Sequence, residues 1–395
     1  MRTMKRVAAV ALSVVVLMTS GVSAKAAVTD VQPAKSSSEA VLKWAKKVGE
    51  PFDEKTYANN TVSKIKLVGN YLYVADDAKH RIMKIDKKDG TILKEQKYCD
   101  ESYIQGYVSS IGYGDGKVYV GYDNGRVQAF DENTLESLWI TDENKNAINA
   151  DFVFTNGKLY FGTTAKTTDW YDNGAPFSYY VVTTSDDDKT KPDEEKTMKK
   201  VVESKTGKFY LKKGVVLGKY IVISDTAGTL TMIDTTNDKV TDTKDIGEAF
   251  SGNITYDEMT GTIYFVAGTN DLYGIKVSAD GKLKDEKKVR LYETGYSSTT
   301  PEVYNGKVYV SGSKGKAFQD KGYMAVADVS SDKYKVNYTV ELSNYSQCEP
   351  TIVKTGENSV RVYFTINDEP GGIYAIEDSK DATSATLEKV YEPTG

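Results

Sequence analysis

One short pattern recurs along the chain and constrains its fold more than any other feature. It reads Gly-x-(Leu/Val/Ile)-Tyr-(Val/Phe), and its period-two alternation predicts a half-buried β-strand. Seven copies are centred on Tyr73, Tyr119, Tyr160, Ile221, Tyr264, Tyr309 and Tyr363. Neighbouring centres are 46, 41, 61, 43, 45 and 54 residues apart. A period in the forties with four strands per unit is typical of β-propeller blades.

The clearest copy runs from Gly116 to Trp139 and predicts three consecutive strands. Lys117–Gly121 and Arg126–Phe130 flank an Asp-Asn-Gly turn, and Leu135–Ile140 follows a second turn. One four-stranded sheet cannot bury both of its faces, so the copies are expected to stack radially and to cover one another. The sequence therefore predicts an all-β fold, a β-propeller of about seven four-stranded blades.

A further strand follows each centre, and in most copies it ends in an acidic residue. These strands are predicted at Ile82–Asp86, Val127–Asp131, Tyr179–Thr183, Leu230–Asp234, Leu272–Val277, Tyr323–Asp328 and Ile373–Glu377. A carboxylate in this place accepts hydrogen bonds from the backbone of the turn that follows. We therefore interpret these acids as turn residues and not as catalysts.

The number of blades depends on a segment near the N-terminus. Val41–Gly49 resembles the third strand of the clearest copy, with Trp44 in the place of Trp139, but its own first two strands are missing upstream. Because Leu387–Tyr391 already completes the last repeat, we expect seven blades with this segment packed at the closing seam. An eight-bladed ring, in which the segment belongs to an incomplete blade, is the alternative.

The first residues predict export. Arg2, Lys5 and Arg6 precede the apolar run Val7–Met18, and small residues follow, as in a signal peptide spanning residues 1–26. The apolar run is too short for a membrane span, which needs roughly 20 residues. We expect a secreted protein, associated with the cell surface, with no membrane span in the mature chain.

The remaining chain divides into two parts. Residues 27–38 are rich in Lys, Ser and Pro, poor in apolar residues, and predicted to be a disordered leader. Residues 39–395 are predicted to form a single propeller domain with an insertion at about 163–205. Within that insertion, the charge run at 185–196 is predicted to be a solvated, mobile loop.

Charge and cysteine content restrict the partners. The formal net charge is −5, and loss of Arg2, Lys5 and Arg6 takes it to −8. Phosphate binding needs clustered cations, so we expect no nucleic-acid partner. Cys99 and Cys348 are far apart in sequence and could pair in an exported protein, but one bridge is not a disulfide framework, and we expect free, buried thiols. Nothing in the sequence predicts oligomerisation, and we expect a monomer.

These residues also resemble a known family. The stretch GKVYVGYDNGRVQAFDENTLESLW at 116–139 is similar to the PQQ-like repeat of quinoprotein-like propellers, in which Gly-x-Val-Tyr-Val, Ala-Phe/Leu-Asp and an outer Trp recur. GYSSTTP at 295–301, together with YFTIN at 363–367 and PGGIY at 370–374, resembles exported propellers of Gram-positive gut anaerobes. The resemblance covers about residues 40–395, and what it implies concerns the fold.

The resemblance does not extend to quinone chemistry. Quinone-dependent dehydrogenases of this superfamily hold their cofactor over the channel with stacked aromatics, a calcium ion, a catalytic Asp and usually a vicinal disulfide. Here no two cysteines are adjacent, Trp44 and Trp139 occupy outer-strand positions, and Trp170 lies in the insertion. We expect no cofactor.

Other catalytic constellations are also missing from the sequence. His80 is the single histidine and lies in a predicted turn, so no multi-histidine metal site can form. The acidic run at 186–188 lacks the spaced Asp and Gly of a calcium loop. We predict no catalytic residues and no metal. A pair of carboxylates remains open, because spacing in sequence does not reveal it.

The connections that enter the blades are the candidate ligand site. Several combine an aromatic with small hydroxyls, as in YVSS at 107–110, FSGN at 250–253, YSST at 296–299 and YSQC at 345–348, and more loosely FVF at 152–154. We expect Tyr107, Phe250, Tyr296, Tyr345 and Gln347 around one mouth of the channel, with Trp170 in the insertion nearby. Aromatic faces and hydroxyls suit a sugar or a peptide. Alternatively, the hydroxyls bond the backbone and the aromatics wedge between blades.

The leading functional prediction is a secreted, non-catalytic propeller that binds a protein or glycan at the channel mouth. A hydrolase or lyase that uses carboxylates is the first alternative. The second is a scaffold that only holds partners together.

Overall fold

The chain forms consecutive β-strands grouped in four-stranded sheets. The computed structural model describes residues 43–46, 48, 62–100, 111–166, 176–186, 195–210, 212–250, 252–315, 321–368 and 371–392. These residues form 29 strands, with one 3-10 turn at Asp77–Lys79. The predicted signal peptide and leader lie outside the described residues, as do Tyr107 and Trp170.

Each blade is an antiparallel sheet whose strands are adjacent in chain order. Blade 1 contains β1 (Lys66–Val68), β2 (Tyr71–Asp76), β3 (Arg81–Asp86) and β4 (Ile92–Lys97). Blade 2 contains β5 (Gly112–Gly114), β6 (Lys117–Gly121), β7 (Val127–Asp131) and β8 (Ser137–Thr141). Blade 3 contains β9 (Val153–Thr155), β10 (Lys158–Gly162), β11 (Ser178–Thr183) and, after the two-residue strand β12 (Glu195–Lys196), β13 (Lys199–Glu203).

The other four blades follow without interruption. Blade 4 contains β14 (Val215–Leu217), β15 (Tyr220–Ser224), β16 (Thr229–Asp234) and β17 (Lys239–Asp245). Blade 5 contains β18 (Thr255–Asp257), β19 (Thr262–Ala267), β20 (Asp271–Val277) and β21 (Leu283–Arg290). Blade 6 contains β22 (Glu302–Tyr304), β23 (Lys307–Ser313), β24 (Gly322–Asp328) and β25 (Lys335–Leu342). Blade 7 contains β26 (Thr351–Lys354), β27 (Ser359–Thr365), β28 (Ile373–Ser379) and β29 (Glu388–Tyr391).

This architecture confirms the all-β, seven-bladed prediction. Every predicted centre lies in the second strand of a blade, and every strand predicted after a centre is the third strand. The pattern did not locate the first strand of each blade. These strands have only three or four residues, too few to show an alternation of their own.

The acids at the ends of third strands act as turn residues, as predicted. Asp131 Oδ1 accepts the backbone N–H groups of Asn133 and Thr134, both at 2.8 Å. Those hydrogen bonds lower the pKa of the Asp131 carboxyl, although its partial burial opposes them. Asp86 and Asp328 accept the N–H two residues on in the same way.

The blades adhere through apolar clusters, each formed by facing sides of consecutive blades. Between blades 4 and 5, for example, Met232 and Phe265 are both fully buried in one cluster. Six such clusters join the seven blades in series. Burial of apolar area from both sheets is what holds neighbouring blades together.

A polar contact accompanies this packing at two interfaces. Lys307 and Tyr309 of β23 both reach Asp378 of blade 7, with Lys307 Nζ 3.0 Å from Oδ2 and Tyr309 Oη 2.8 Å from the same oxygen. Lys158 and Tyr160 reach Asp238 of blade 4 equivalently, at 2.7 and 2.6 Å. The Lys and the Tyr of each pair are two residues apart in one strand, so both side chains lie on the same face of the sheet.

The N-terminal segment packs against blade 1. Val74, Met83 and Ile85 are buried on the face of blade 1 that points away from blade 2, and Trp44 and Val48 pack against them. Trp44 Nε1 donates to the carbonyl of Lys87 at 2.9 Å. Residues 43–46 and 48 are not in a strand. Among the described residues, no apolar cluster joins blade 7 to blade 1.

One glycine explains how the Trp44 ring fits against the β3–β4 turn. Gly90 has a φ of +74°, and a Cβ there would lie 2.6 Å from a Trp44 ring carbon. Any other residue would strain the turn and push the ring away.

The insertion in blade 3 differs in part from its prediction as a solvated loop. β12 lies parallel to β8 and extends blade 2 by a fifth strand. Lys196 is buried, with Nζ 4.8 Å from the centroid of the Trp139 ring, and it donates to the carbonyls of Thr183 and Ser185. The charge run therefore ends in a residue that covers the outer edge of blade 2.

The cysteines are both free thiols, as expected, but they are not buried as expected. Cys99 is exposed and Cys348 is half-buried. Cys99 Sγ accepts a hydrogen bond from Gln128 Nε2 at 2.8 Å at the edge of blade 2. In the described part of the chain, no helix has the length and apolar character of a membrane span.

Candidate functional site

Five of the entry segments share one geometry. In four of them, a residue ahead of the first strand forms a single antiparallel bridge to the end of the second strand of the same blade. These bridges join Val62 to Asp76, Ala147 to Thr164, Phe250 to Ala267 and Tyr296 to Ser313. In blade 7, the carbonyl of Tyr345 accepts the N–H of Asn367 at 2.9 Å in the corresponding place. The entry segments of blades 1, 3, 5, 6 and 7 are thereby fixed in the same register, and residues 101–110, ahead of blade 2, lie outside the described residues.

The residue two positions after each bridge faces the central channel. These residues are Lys64, Asn149, Gly252, Ser298 and Gln347, and Lys212 of blade 4 joins them. The five residues four positions after these bridging residues, Lys66, Asp151, Ile254, Thr300 and Glu349, also line the channel. Side chains alternate between faces in an extended chain, so positions two apart point to the same side. This alternation is the signal in the sequence that could have located the channel lining.

The residues predicted to bind a ligand have different surroundings in the structure. Gln347 lines the mouth and is exposed. Phe250 is buried between blades 4 and 5, with its ring centroid 4.5 Å from that of Phe265. Tyr296 and Tyr345 are half-buried at the bridge positions, and the described lining of the two channel cavities contains neither of them. Tyr107 and Trp170 are outside the described residues.

The hydroxyls of the entry segments hold the backbone in place. Ser297 Oγ and Thr299 Oγ1 both donate to the carbonyl of Ser311 in β23, at 2.7 and 2.9 Å. The hydroxyl of Ser311 contacts that of Ser346 in the next entry segment at 2.9 Å. These hydroxyls therefore fix the rim of the channel and are occupied within the protein.

The mouth itself is a cavity of about 430 Å³. Six blades contribute to it, and its described lining consists of Lys64, Asn149, Asp151, Lys212, Gly252, Asn253, Ser298, Thr300, Gln347 and Glu349. Its rim is tightly packed, because a Cβ on Gly252 would lie 2.2 Å from the carbonyl oxygen of Thr299. Residues with amide, hydroxyl and charged groups of both signs therefore surround one opening on a rigid frame.

An adjoining cavity of about 390 Å³ continues into the channel and divides into two arcs of opposite charge. On the side of blades 1 and 4, four lysines line the two cavities: Lys64, Lys66, Lys212 and Lys213. On the side of blades 5, 6 and 7, the charged lining consists of Glu258, Glu302 and Glu349. Asp151 is the acid on the lysine side, 3.5 Å from Lys64 Nζ.

Burial perturbs the lysines of this arc. Removal from water lowers the pKa of Lys66, and the positive charge of Lys213 lowers it further, while Asp151 acts in the opposite direction. Burial likewise lowers the pKa of Lys212, with a further contribution from Lys64 and an opposing one from Asp151. Burial therefore disfavours the charged form of Lys66 and Lys212, and the Asp151 carboxylate acts against that effect at both.

The chemistry of the lining does not fit a quinone held by a calcium ion. Within the described ranges, no group of three or more His, Cys, Asp or Glu side chains is placed to hold a metal. Trp139 is fully buried in β8, and Trp44 lies on the face of blade 1. His80 follows the 3-10 turn of blade 1, with its ring 6.3 Å from that of Tyr98, and the described channel lining does not contain it.

Comparisons with known proteins identify the fold. No family model matches the sequence, and no curated protein matches it. The backbone is similar to BamB from Moraxella catarrhalis, with a TM-score of 0.55 and 12% identity over 83% of this chain and 88% of that one. A europium-containing methanol dehydrogenase gives 0.53 and 11% over 77% and 73%. The quinohemoprotein alcohol dehydrogenase ADHIIG from Pseudomonas putida HK5 gives 0.52 and 13% over 76% and 62%.

These similarities bear out the predicted quinoprotein-like propeller architecture. At 11–13% identity they concern the backbone alone. Two of these three proteins are named for a dehydrogenase activity, and BamB is not. The fold therefore does not decide between catalysis and binding. That decision depends on the side chains of the channel.

Proposed function

We propose that this chain is an exported, non-catalytic propeller of the Gram-positive gut type that binds a protein or glycan at its channel mouth, at the cell surface. The observation that carries the proposal is the mouth cavity of about 430 Å³, to which the entry segments of six blades contribute. A cavity of this size accommodates a small ligand or the end of a larger one. Loops held by a rigid scaffold are the usual location of binding sites.

The lining supports binding through hydrogen bonds. Gln347 is exposed at the opening, and its amide has both donors and an acceptor. Asn253 Oδ1 accepts the N–H of Lys213 at 3.1 Å, and the buried Asn149 donates to Asp123 Oδ1 at 3.4 Å, so these two amides also hold the opening in shape. Carbohydrate hydroxyls and peptide groups need both kinds of partner at once. The acidic members of the mouth, Asp151 and Glu349, belong to blades 3 and 7, and Asp151 is paired with Lys64.

The expected location outside the cell rests on the N-terminal sequence. Arg2, Lys5 and Arg6 ahead of the apolar run Val7–Met18 support export. Protease accessibility on intact cells of a producing strain would test the location, and protection of the chain until the cells are lysed would contradict it.

Binding at the mouth is tested with glycan and peptide arrays, followed by calorimetry on each ligand retained. We expect Gln347→Ala and Asn253→Ala to weaken binding by about tenfold each, since one polar contact of this kind contributes roughly 1–1.5 kcal/mol. Asn358→Ala, at an exposed position in the β26–β27 turn at the opposite end of blade 7, is the matched control and should bind normally. Tyr345→Ala tests whether the predicted aromatic residue contributes.

Two results would refute the proposal. Unchanged affinity in both mouth variants would show that the ligand binds elsewhere. Conversion of a retained glycan or peptide into products, seen by chromatography after long incubation, would show that the site is catalytic.

A further inference from the structure

The entry segments of blades 6 and 7 lie next to each other on one side of the channel. Ser297 Oγ and Thr299 Oγ1 of the first segment donate to the carbonyl of Ser311. The hydroxyl of Ser311 in turn contacts that of Ser346 in the second segment at 2.9 Å. The first strands of the two blades, β22 and β26, also approach each other. The residues that these two segments turn toward the channel are therefore held in a fixed arrangement.

The hydroxyls of the blade 6 segment alternate between two environments. Those of Ser297 and Thr299 bond the backbone, whereas Ser298 and Thr300 line the channel. Thr300 is only 8% exposed, and it lines both channel cavities. Its hydroxyl forms no hydrogen bond within the described part of the chain. A buried hydroxyl without a partner costs free energy, and a polar group that enters the channel removes this cost.

Glu349 supplies a carboxylate at the same depth of the channel. Thr300 and Glu349 each lie four positions after the bridging residue of their segment, and both line the two cavities. Glu349 is exposed, and among the described residues its side chain forms no ion pair. Glu302, two residues beyond Thr300, lines the deeper cavity. This side of the channel therefore offers a cation a carboxylate and an unpartnered hydroxyl, with a second acid below them.

The opposite side of the channel repels a cation. Four lysines line the side of blades 1 and 4. Besides burial, the charges that shift the pKa of Lys66 all belong to that side, namely Lys213 and Asp151, and the acids of blades 6 and 7 are not among them. The two sides therefore act separately, and a cation is directed toward blades 6 and 7. The formal net charge of −5 also attracts a cationic ligand from solution.

The spacing of the lining residues indicates which cation fits. Ser298 and Gln347 lie at the mouth, two residues ahead of Thr300 and Glu349. Two residues of extended chain span roughly 6.6 Å. A lysine or an arginine carries its charge at the end of an aliphatic stem, which covers a distance of this order. Gln347 and Ser298 have donors and acceptors for a peptide backbone at the mouth, while a basic side chain reaches the groups below.

We infer that the channel mouth binds an extended peptide through a lysine or arginine side chain, whose cationic group lies between the Glu349 carboxylate and the Thr300 hydroxyl. The peptide backbone contacts Gln347 at the mouth. An ammonium or guanidinium group carries several donors and no acceptor, so it bonds both oxygens at once. This inference rests on the proposed binding function and specifies its ligand.

The test compares two pentapeptides by isothermal titration calorimetry on the mature chain. One is acetyl-Ala-Ala-Lys-Ala-Ala-amide, and the other has norleucine in place of the lysine. The two ligands share their backbone and the aliphatic stem of the side chain, and they differ in charge. We expect the lysine peptide to bind at least tenfold more tightly at low salt, with the difference decreasing as salt is raised.

Two variants test the position of the cationic group. Glu349→Gln should weaken binding of the lysine peptide about tenfold and Thr300→Val about fivefold, because each removes one partner of that group. Neither should change the affinity for the norleucine peptide. Unchanged binding of the lysine peptide in Glu349→Gln would refute the position.

The matched control is Glu136→Gln, which removes an exposed acid from the β7–β8 turn of blade 2 and should leave both affinities unchanged. Thermal unfolding of each variant separates loss of binding from loss of folding. Glu349 is exposed and Thr300 is buried, so a folding defect in Thr300→Val leaves Glu349→Gln informative.

The outcomes discriminate between the inference and the function on which it rests. Equal binding of the two peptides, lost in Gln347→Ala, would overturn the basic side chain and keep the binding function. Binding of a glycan at the mouth, without binding of either peptide, would overturn the peptide and keep the function. Binding of free cadaverine as tightly as the lysine peptide, lost in Glu349→Gln, would show a small amine as the ligand and overturn the peptide. Absence of binding to any glycan or peptide would overturn both.

Discussion

The buried contact between blades 6 and 7 offers a sharp test of how neighbouring blades are joined. Asp378 of β28 has a side chain only 1% exposed, and its carboxylate accepts hydrogen bonds from three groups of blade 6. Lys307 Nζ lies 3.1 and 3.0 Å from Oδ1 and Oδ2, Tyr309 Oη lies 2.8 Å from Oδ2, and Tyr338 Oη lies 2.5 Å from Oδ1. Burial and the Asp378 charge raise the pKa of both tyrosines, which stay neutral donors.

Asp378→Asn removes the charge while it keeps the shape of the side chain. One amide oxygen would then replace the carboxylate for three donors, and the Lys307 ammonium, whose side chain is 8% exposed, would lose its counter-charge. Breaking a buried ion pair in this way costs about 3–5 kcal/mol. We expect the free energy of unfolding to fall by about that amount.

Lys307→Met should cost less, because Asp378 would keep both tyrosine donors. We expect about 1–3 kcal/mol, the range for loss of a charged hydrogen bond. The double variant Asp378→Asn/Lys307→Met should be more stable than Asp378→Asn alone, since it removes the uncompensated ammonium group. Such a reversal is the signature of coupling between the two sites.

Urea unfolding followed by far-UV circular dichroism measures these differences. The matched control is Asp332→Asn, which removes the fully exposed partner of Lys287 and should leave stability almost unchanged, because water and salt screen a surface ion pair. A loss below about 1 kcal/mol in Asp378→Asn, or a double variant less stable than both single variants, would refute the reasoning.

Three further predictions concern the seam, one turn and the channel. Trp44→Ala should destabilise the chain by about 1–3 kcal/mol in thermal unfolding, less than for a fully buried Trp because the ring is half-buried; an unchanged midpoint would contradict its packing at the seam. The Lys219 ammonium and Thr236 hold the pKa of Asp234 at about 2. The carboxylate therefore stabilises the fold above about pH 4 and loses that effect toward pH 2. The stabilisation is less than about 1 kcal/mol, because the partner Lys219 is exposed. Carbon-13 NMR titration should show the pKa rising in Lys219→Met, and an unmoved pKa would exclude the pair. Burial lowers the pKa of Lys66 below its ordinary value of 10.5, so the unfolded chain binds more protons at this residue than the folded chain. Lys66→Met should therefore raise the free energy of unfolding, and this gain should shrink toward pH 10.5. A gain that grows with pH would contradict the burial of Lys66.

The repeat pattern predicted most of the fold because its signal is local in sequence. Tyr119 and Val120 are buried on opposite faces of β6, each covered by a neighbouring blade, and a strand between two sheets must show this alternation in its own sequence. The role of turn acids such as Asp131 was equally predictable, since their hydrogen-bond partners lie two or three residues away. The acids of the turns and the centres of the strands were therefore predicted from residues close in sequence.

The candidate site was only partly predictable for the same reason. The sequence indicated the entry segments and included Gln347, which lines the mouth. It directed attention to aromatics such as Phe250, whose ring packs between blades instead of facing the channel. Lys66 and Lys213 carry no local signal, because they are 147 residues apart and line the same channel only in the folded chain.

The sequence by itself determined the blade, its turns and its sevenfold repetition, because each of these depends on alternation and turn chemistry within about forty residues. Only the tertiary structure decided what covers the outer sides of blades 1 and 2 and which residues line the channel. Trp44 covers the face of blade 1, β12 joins the edge of blade 2, and lysines of two distant blades share one channel. Such contacts arise from the radial arrangement of sheets, which places residues from every blade around a single axis.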